Sequence, residues 1–206
     1  MRRWLKTAVC VGCAMAAGMP AAAQVRSVTD ELRLNIHASA VRLDDEDGGE
    51  SVGFGGSLGY SASRWFMPFL TVTFADMNDG ENDFRLRHLD AGVRSHVRGS
   101  NARLVPFVLV ALTWRAATYE DRFFMGEVTD VKIAGNGISL GGGALYYLRP
   151  RVAVEVSGKW TGGEMDDITV DGLHFKADEH TISGSSMRLL LGVSLFPTGR
   201  TLEGER

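Results

Sequence analysis

Apolar residues recur at every second position along most of this chain, and helical spacing does not. From Arg151 to Trp160, Val152, Val154, Val156 and Trp160 share one parity, and Ala153, Glu155, Ser157 and Lys159 take the other. Leu32, Leu34, Ile36, Ala38 and Ala40 likewise oppose Arg33, Asn35, His37 and Ser39. The same division runs through 53–61, 137–148, 186–196 and the later half of 84–97. Segments 65–75 and 104–116 are apolar on both parities, so their faces stay open. Segment 84–97 changes phase near His88, which a β-bulge or an overhang beyond a membrane would explain. The total is about eight strands, most close to the roughly 9–11 residues that a tilted strand needs to cross a bilayer.

The connections are sorted by length and by charge. Long ones, roughly 44–52, 76–83, 117–136 and 163–184, alternate with short ones at 62–64, 98–103 and 149–151. The long ones hold nineteen of the 25 acidic residues against Arg122, Lys132 and Lys176, whereas the short ones hold five arginines and no acid. All long connections therefore share one end of the molecule, as an even number of up-and-down strands requires. Aromatic residues fall at strand ends, with Tyr60, Trp65, Phe66 and Tyr146 beside the short turns and Phe54, Phe74, Trp114 and Trp160 beside the long connections. Two such girdles suit a membrane barrel, although aromatics at strand ends also cover soluble cores. The longest apolar run past the start, Leu104 to Trp114, is too short for a transmembrane helix. The fold expected is all-β, a single antiparallel up-and-down transmembrane β-barrel of about eight strands.

The start of the chain reads as a secretory signal peptide at 1–23, leaving a barrel domain at 24–206. Arg2, Arg3 and Lys6 precede a short apolar stretch, and Ala21-Ala22-Ala23 supplies the small-residue cleavage pattern. Cys13 as a lipid-attachment site is the rival, disfavoured because Cys10 stands where Leu, Val or Ile is preferred. Both cysteines, Cys10 and Cys13, lie in this segment, so the mature chain holds neither a disulfide nor a thiolate metal site. The whole chain carries −3, and removal of three positive charges leaves the mature protein near −6. With no basic tract, nucleic acid is not an expected partner. The 25 glycines have no collagen-like period.

With this layout the sequence resembles the small eight-stranded outer-membrane barrels, a family that includes the transmembrane domain of outer-membrane protein A and the opacity and virulence-related surface proteins. The more specific pieces are Val105-Pro106-Phe107-Val108, similar to the family's entry into a middle strand, and the final strand Arg188 to Phe196. The resemblance covers 32–196 and implies the outer membrane of a Gram-negative bacterium. Members usually stop at an aromatic residue read by the insertion machinery, whereas here Phe196 is followed by Pro197 and nine more residues. No peptidoglycan-binding domain follows in this sequence, so that family function is not implied.

Parity assigns Arg33, His37, Asp90, Arg94, Arg115, Glu155, Lys159 and Arg188 to the interior. A barrel of about eight strands has a bore only wide enough for side chains to fill, and charges there must pair or cost several kcal/mol each. The expected arrangement is an internal salt-bridge network of Arg33, Asp90, Arg94, Arg115, Glu155, Lys159 and Arg188. The weaker alternative is a narrow ion path. Inward Gly55, Gly59, Gly92, Gly141, Gly143 and Gly192 leave room for long side chains. Phe123, Phe124 and Met125, apolar inside the polar 117–136 connection, are the loop contact candidates, against the plainer reading that they pack on the rim. Asp44-Asp45-Glu46-Asp47 and Asp76-Met77-Asn78-Asp79-Gly80 offer oxygen ligands but lack the full calcium loop with its closing glutamate, so solvated acidic loops are the plainer reading.

A lipid A deacylase-like enzyme would need a serine, a histidine and an acid together on the outer wall. His180, Ser183 and Glu179 lack that spacing, and Ser95 and His96 face opposite sides of a strand. His174 and His180 make no better metal pair. No catalytic residue, metal or cofactor is therefore assigned. The reading is a monomeric outer-membrane barrel, with a structural or surface-interaction role and no general pore. Its partners are membrane lipid and, through the long acidic loops, a surface partner. The alternatives are the lipid-modifying enzyme and a soluble periplasmic lipocalin-like carrier, which would bury its apolar face inward.

Overall fold

A computed structural model describes residues 31–43, 49–63, 65–78, 83–97, 103–124, 127–149, 151–170, 173–176, 182–183 and 185–197. The segment 1–23, expected to be a signal peptide, lies outside the described residues. Seven strands follow in order: β1 (Glu31–Leu43), β2 (Glu50–Ser61), β3 (Met67–Asn78), β4 (Asp83–His96), β5 (Leu104–Phe124), β6 (Glu127–Arg149) and β7 (Val152–Val170). The short β8 (Leu173–Lys176) and β9 (Ile182–Ser183) precede β10 (Ser186–Leu195). Each of the first seven pairs antiparallel with its sequence neighbour, and β10 pairs with both β1 and β7. That last pairing closes the sheet. β8 and β9 attach to β7 alone, so the closed wall has eight staves. Closure matters because a bilayer offers no water to an unpaired backbone group.

The alternation in sequence becomes two walls. Ile36, Phe54, Leu112 and Leu191 point outward with 57–74% of their surface exposed, while Arg33, Asp90 and Arg188 point inward at 0–1%. An apolar exterior around a charged interior is the inverse of a soluble carrier, and it overturns the carrier alternative.

Segments 65–75 and 104–116 now have faces. Met67, Phe69, Val105, Phe107 and Leu109 point in, whereas Leu70, Val108, Val110 and Leu112 point out. Both parities are apolar here because the inner one builds a plug at the short-turn end. That plug joins Phe69, Val105, Phe107, Leu109, Leu145, Tyr147 and Phe196, together with Ala111 and Ala153. Tyr147 and Phe196 lie with ring centroids 5.4 Å apart. Phe196 is thus an inward-packing residue. A second apolar cluster of Val41, Ala75, Met77, Phe84, Leu86, Ala117 and Met165 fills the long-connection end.

Three features of the sequence are decided in detail. No bulge interrupts β4, because its register with β3 and β5 runs unbroken through His88. The phase change marks an overhang, where inward Phe84 and Leu86 join the upper cluster while Arg85 and Arg87 face out. The connection at 117–136 is largely strand, since β5 reaches Phe124 and β6 starts at Glu127, with one register shift between Tyr119 and Arg122. Much of 163–184 is strand as well, because β7 runs to Val170 and β8 folds back on it, pairing Thr169 with His174. These ladders lengthen the barrel on one side only.

Candidate functional site

Between the two plugs lies a charged layer, drawn from strands on all sides of the bore. Glu155 on β7 accepts from Arg33 on β1 and, at 2.8 Å, from Arg94 on β4. Ser194 on β10 also donates to it, at 2.9 Å. Asp90 on β4 accepts from Lys159 on β7 at 2.8 Å and from both Nη atoms of Arg188 on β10 at 3.0 Å. Each carboxylate therefore ties strands that are far apart around the wall. Charge-assisted, bidentate contacts of this kind are the strong ones in a low dielectric. Arg115 is buried opposite His88 on the neighbouring strand. His37 is buried, with Nδ1 2.9 Å from Asn35 Oδ1.

Three hydroxyl residues that the charge pattern does not single out complete the layer. Thr113, Ser139 and Thr161 stand on β5, β6 and β7 with their oxygens 2.5 and 2.6 Å apart in sequence. Thr113 donates to Asp90 at 2.9 Å, and Arg188 Nη2 donates to Ser139 and Thr161 at 3.1 and 2.9 Å. Parity alone would have found two of them, because Ser139 opposes Ile138 and Leu140, and Thr161 shares the parity of Lys159, whereas Thr113 lies in 104–116, where both parities are apolar.

The layer is keyed to the plug beneath it. The Arg94 guanidinium lies 3.8 Å from the Phe107 ring centroid, and Lys159 Nζ lies 5.3 Å from that of Phe69, both within cation–π range. Inward glycines make the space. A Cβ on Gly55 would come 2.6 Å from His37 Nε2, and one on Gly143 would come 2.8 Å from the Phe107 ring. A cavity of about 10 Å³, lined partly by Asn35, His37, Arg94 and Glu155, has room for about one water.

The remaining candidates scatter. Phe123 and Phe124 lie on the far end of β5, and Met125 lies outside the described residues. Residues 44–48 and 79–82 of the acidic stretches, with Glu179 and His180, also lie outside them. His96 is buried inward and Ser95 faces the opposite way, so that pair does not meet. His174 is exposed on β8, its Nδ1 3.1 Å from Thr169 Oγ1. Among the described residues no three of His, Cys, Asp and Glu converge to hold a metal.

Residues 9–195 match a family model described as the outer membrane protein beta-barrel domain. No match was found among curated protein sequences. The fold is similar to Neisserial surface protein A, at 15% identity and TM-score 0.62 over 80% of this chain and 96% of that one. It is similar to outer membrane protein OprG of Pseudomonas aeruginosa, at 10% identity and TM-score 0.54 over 84% and 98%. Ail, the attachment invasion locus protein of Yersinia pestis, shares 12% identity and a TM-score of 0.53 over 82% and 99%. At these identities the likeness is one of fold. With a family model spanning nearly the whole chain, and a closed wall that is apolar outside and charged within, this chain belongs to the outer membrane protein β-barrel family and resides in the outer membrane of a Gram-negative bacterium.

Proposed function

We propose that the protein is a sealed scaffold, monomeric and without catalytic activity, that presents acidic β-hairpins at the cell surface for contact with a partner. The observation that carries this reading is the filled bore, in which two apolar plugs enclose a layer of paired charges. A path for solutes needs an open lumen, and barrels of about eight strands fill theirs with side chains. The internal network then serves as a strut. It holds opposite staves at fixed distance, so that hairpins built on them keep their geometry.

The surface role draws on the one-sided extension of β5, β6 and β7 with β8, which carries seven of the nineteen long-connection acids. Barrels of this type keep short turns in the periplasm and long connections outside. Leu173 and Phe175 on β8 are 64% and 52% exposed, far from the lipid-facing band, and add an apolar contact surface. Phe123, Phe124 and Met125, from the connection between β5 and β6 in sequence, remain proposed contact residues.

Two measurements test the reading. Proteoliposomes carrying the protein should swell in a small sugar no faster than protein-free liposomes, and faster swelling would show an open bore. An epitope tag inserted at 177–181 should be labelled by antibody on intact cells, with none labelled at 98–102. The reverse labelling would invert the topology.

A further inference from the structure

The interior of the barrel carries more positive than negative charge. Among the described residues, Arg33, Arg94, Arg115, Lys159 and Arg188 are buried there against Glu31, Asp90 and Glu155, five cations to three carboxylates and an excess of two positive charges. Arg115 lies opposite His88 towards the long-connection end, and Glu31 stands at the start of β1. The excess therefore belongs to the layer between the plugs, where four cations share Asp90 and Glu155. Apolar clusters close that layer at both ends. Bulk counter-ions do not screen a charge held there, and an uncompensated buried charge is strongly unfavourable.

The cavity of about 10 Å³ lies within this layer. Arg94 lines it, is 3% exposed, and gives Nη2 to Glu155, while its Nε and Nη1 donate to no described residue. Lys159 lines it too, and gives Asp90 one of the three hydrogen bonds that an ammonium can donate. Ser57 on β2, Thr71 on β3 and Ser157 on β7 add hydroxyls to the wall. Glu155 also reaches the cavity, but its Oε1 is taken by Arg94 and its Oε2 by Arg33 and Ser194. The space is thus bounded by spare donors and by a carboxylate whose oxygens are already engaged.

We propose that this cavity binds one chloride ion, held by Arg94, Lys159 and the three hydroxyls, which offsets one of the two surplus positive charges. Size and charge select the ion. Sulfate, phosphate and carboxylates have too many heavy atoms for a space of about one water, and a cation would add to the surplus. Among monatomic anions, chloride gives up its hydration shell more readily than fluoride. It is only slightly wider than water, and the Lys159 ammonium, on its flexible stem, is the part of the wall that gives. The ion goes beyond the sealed-scaffold reading, since a bore can be sealed with or without it.

The test refolds the mature protein into detergent in sodium chloride or in sodium gluconate at equal ionic strength, and follows thermal unfolding by circular dichroism. Gluconate is too large for the cavity and matches chloride in screening alone. At fixed ionic strength Tm should rise with chloride along a saturating curve, as for any ligand that binds only the folded state. Bromide should substitute for chloride, and dialysis against radioactive chloride should count a single ion per barrel. Thr71→Val removes the hydroxyl of a cavity-lining side chain and leaves the ion pairs intact. It should need about tenfold more chloride for half the rise, the scale of one hydrogen bond to a charged group. Ser39→Ala removes a buried hydroxyl that does not line the cavity, and should titrate as the wild type does. Equal Tm in chloride and gluconate for the wild type overturns the proposal, because water alone then occupies the space, and no variant has to fold for that result. A rise that never saturates, or no difference between Thr71→Val and Ser39→Ala, overturns it as well.

Discussion

Glu155 accepts from two guanidiniums and a serine in a space with room for about one water, so it has no substitute when removed. Glu155→Ala should lower stability by about 3–5 kcal/mol in denaturant titrations of the refolded protein, because Arg33 and Arg94 are left charged and unpaired. Val154→Ala, one residue away on the lipid side, should cost far less. Equal losses would mean that the inward and outward walls are exchanged. A second contrast concerns glycine. Gly143→Ala drives a Cβ within 2.2 Å of the Val156 carbonyl oxygen and 2.8 Å of the Phe107 ring and should cost about 1–3 kcal/mol by overpacking, whereas an added Cβ on outward Gly158 meets nothing within 4 Å. Gly158→Ala should therefore be neutral or slightly stabilising. At this scale the sequence is informative about charge, since the inward parity of Arg33, Asp90, Arg94, Glu155, Lys159 and Arg188 was legible, whereas buried Glu31, at the very start of β1, was not singled out. It was silent on partner choice. Nothing in spacing says that Glu155 takes Arg33 and Arg94 while Asp90 takes Lys159 and Arg188.

The strands extend beyond the apolar band, and the extension has a measurable consequence. Backbone pairing of β5 with β6 continues to Tyr119 and Val131 before the register shift. Amide exchange should therefore remain slow through Ala116–Tyr119 and rise past the shift, in lipid and in detergent alike. Fast exchange from Trp114 onward would return 117–136 to loop. The sequence pointed to a loop because the segment is acidic and its alternation is weak. Neither face of an overhanging hairpin meets lipid, so neither has to be uniformly apolar. The same reasoning explains β4, where Arg85 and Arg87 face water and invert the polarity below them. The apolar-on-both-sides segments 65–75 and 104–116 failed for the opposite reason, with lipid outside and a plug inside.

The whole barrel is tiered, apolar at each end and ionic between. In planar bilayers the purified protein should give no steady conductance steps under an applied potential. Stable large steps would overturn the sealed bore. Phe107→Ala should cost about 3–5 kcal/mol, the usual cost of emptying an aromatic site in a packed core, and should leave the bilayer silent because the ionic layer above still blocks the bore. Conductance appearing in this variant alone would place the seal in the lower plug rather than in the charged layer.

By itself the sequence determined the architecture. Period-two alternation assigns one face to lipid, the even alternation of long and short connections stacks the ends, and the charge of those connections distinguishes the ends. All of these are local properties, set by a side-chain repeat that the backbone geometry imposes on any strand. Only the tertiary structure decided what meets across the bore. Arg188 and Asp90 are 98 residues apart, and Arg33 and Glu155 are 122 apart. Their pairing depends on the stagger with which β10 and β7 close the sheet, a property of the whole ring that no segment of the sequence contains.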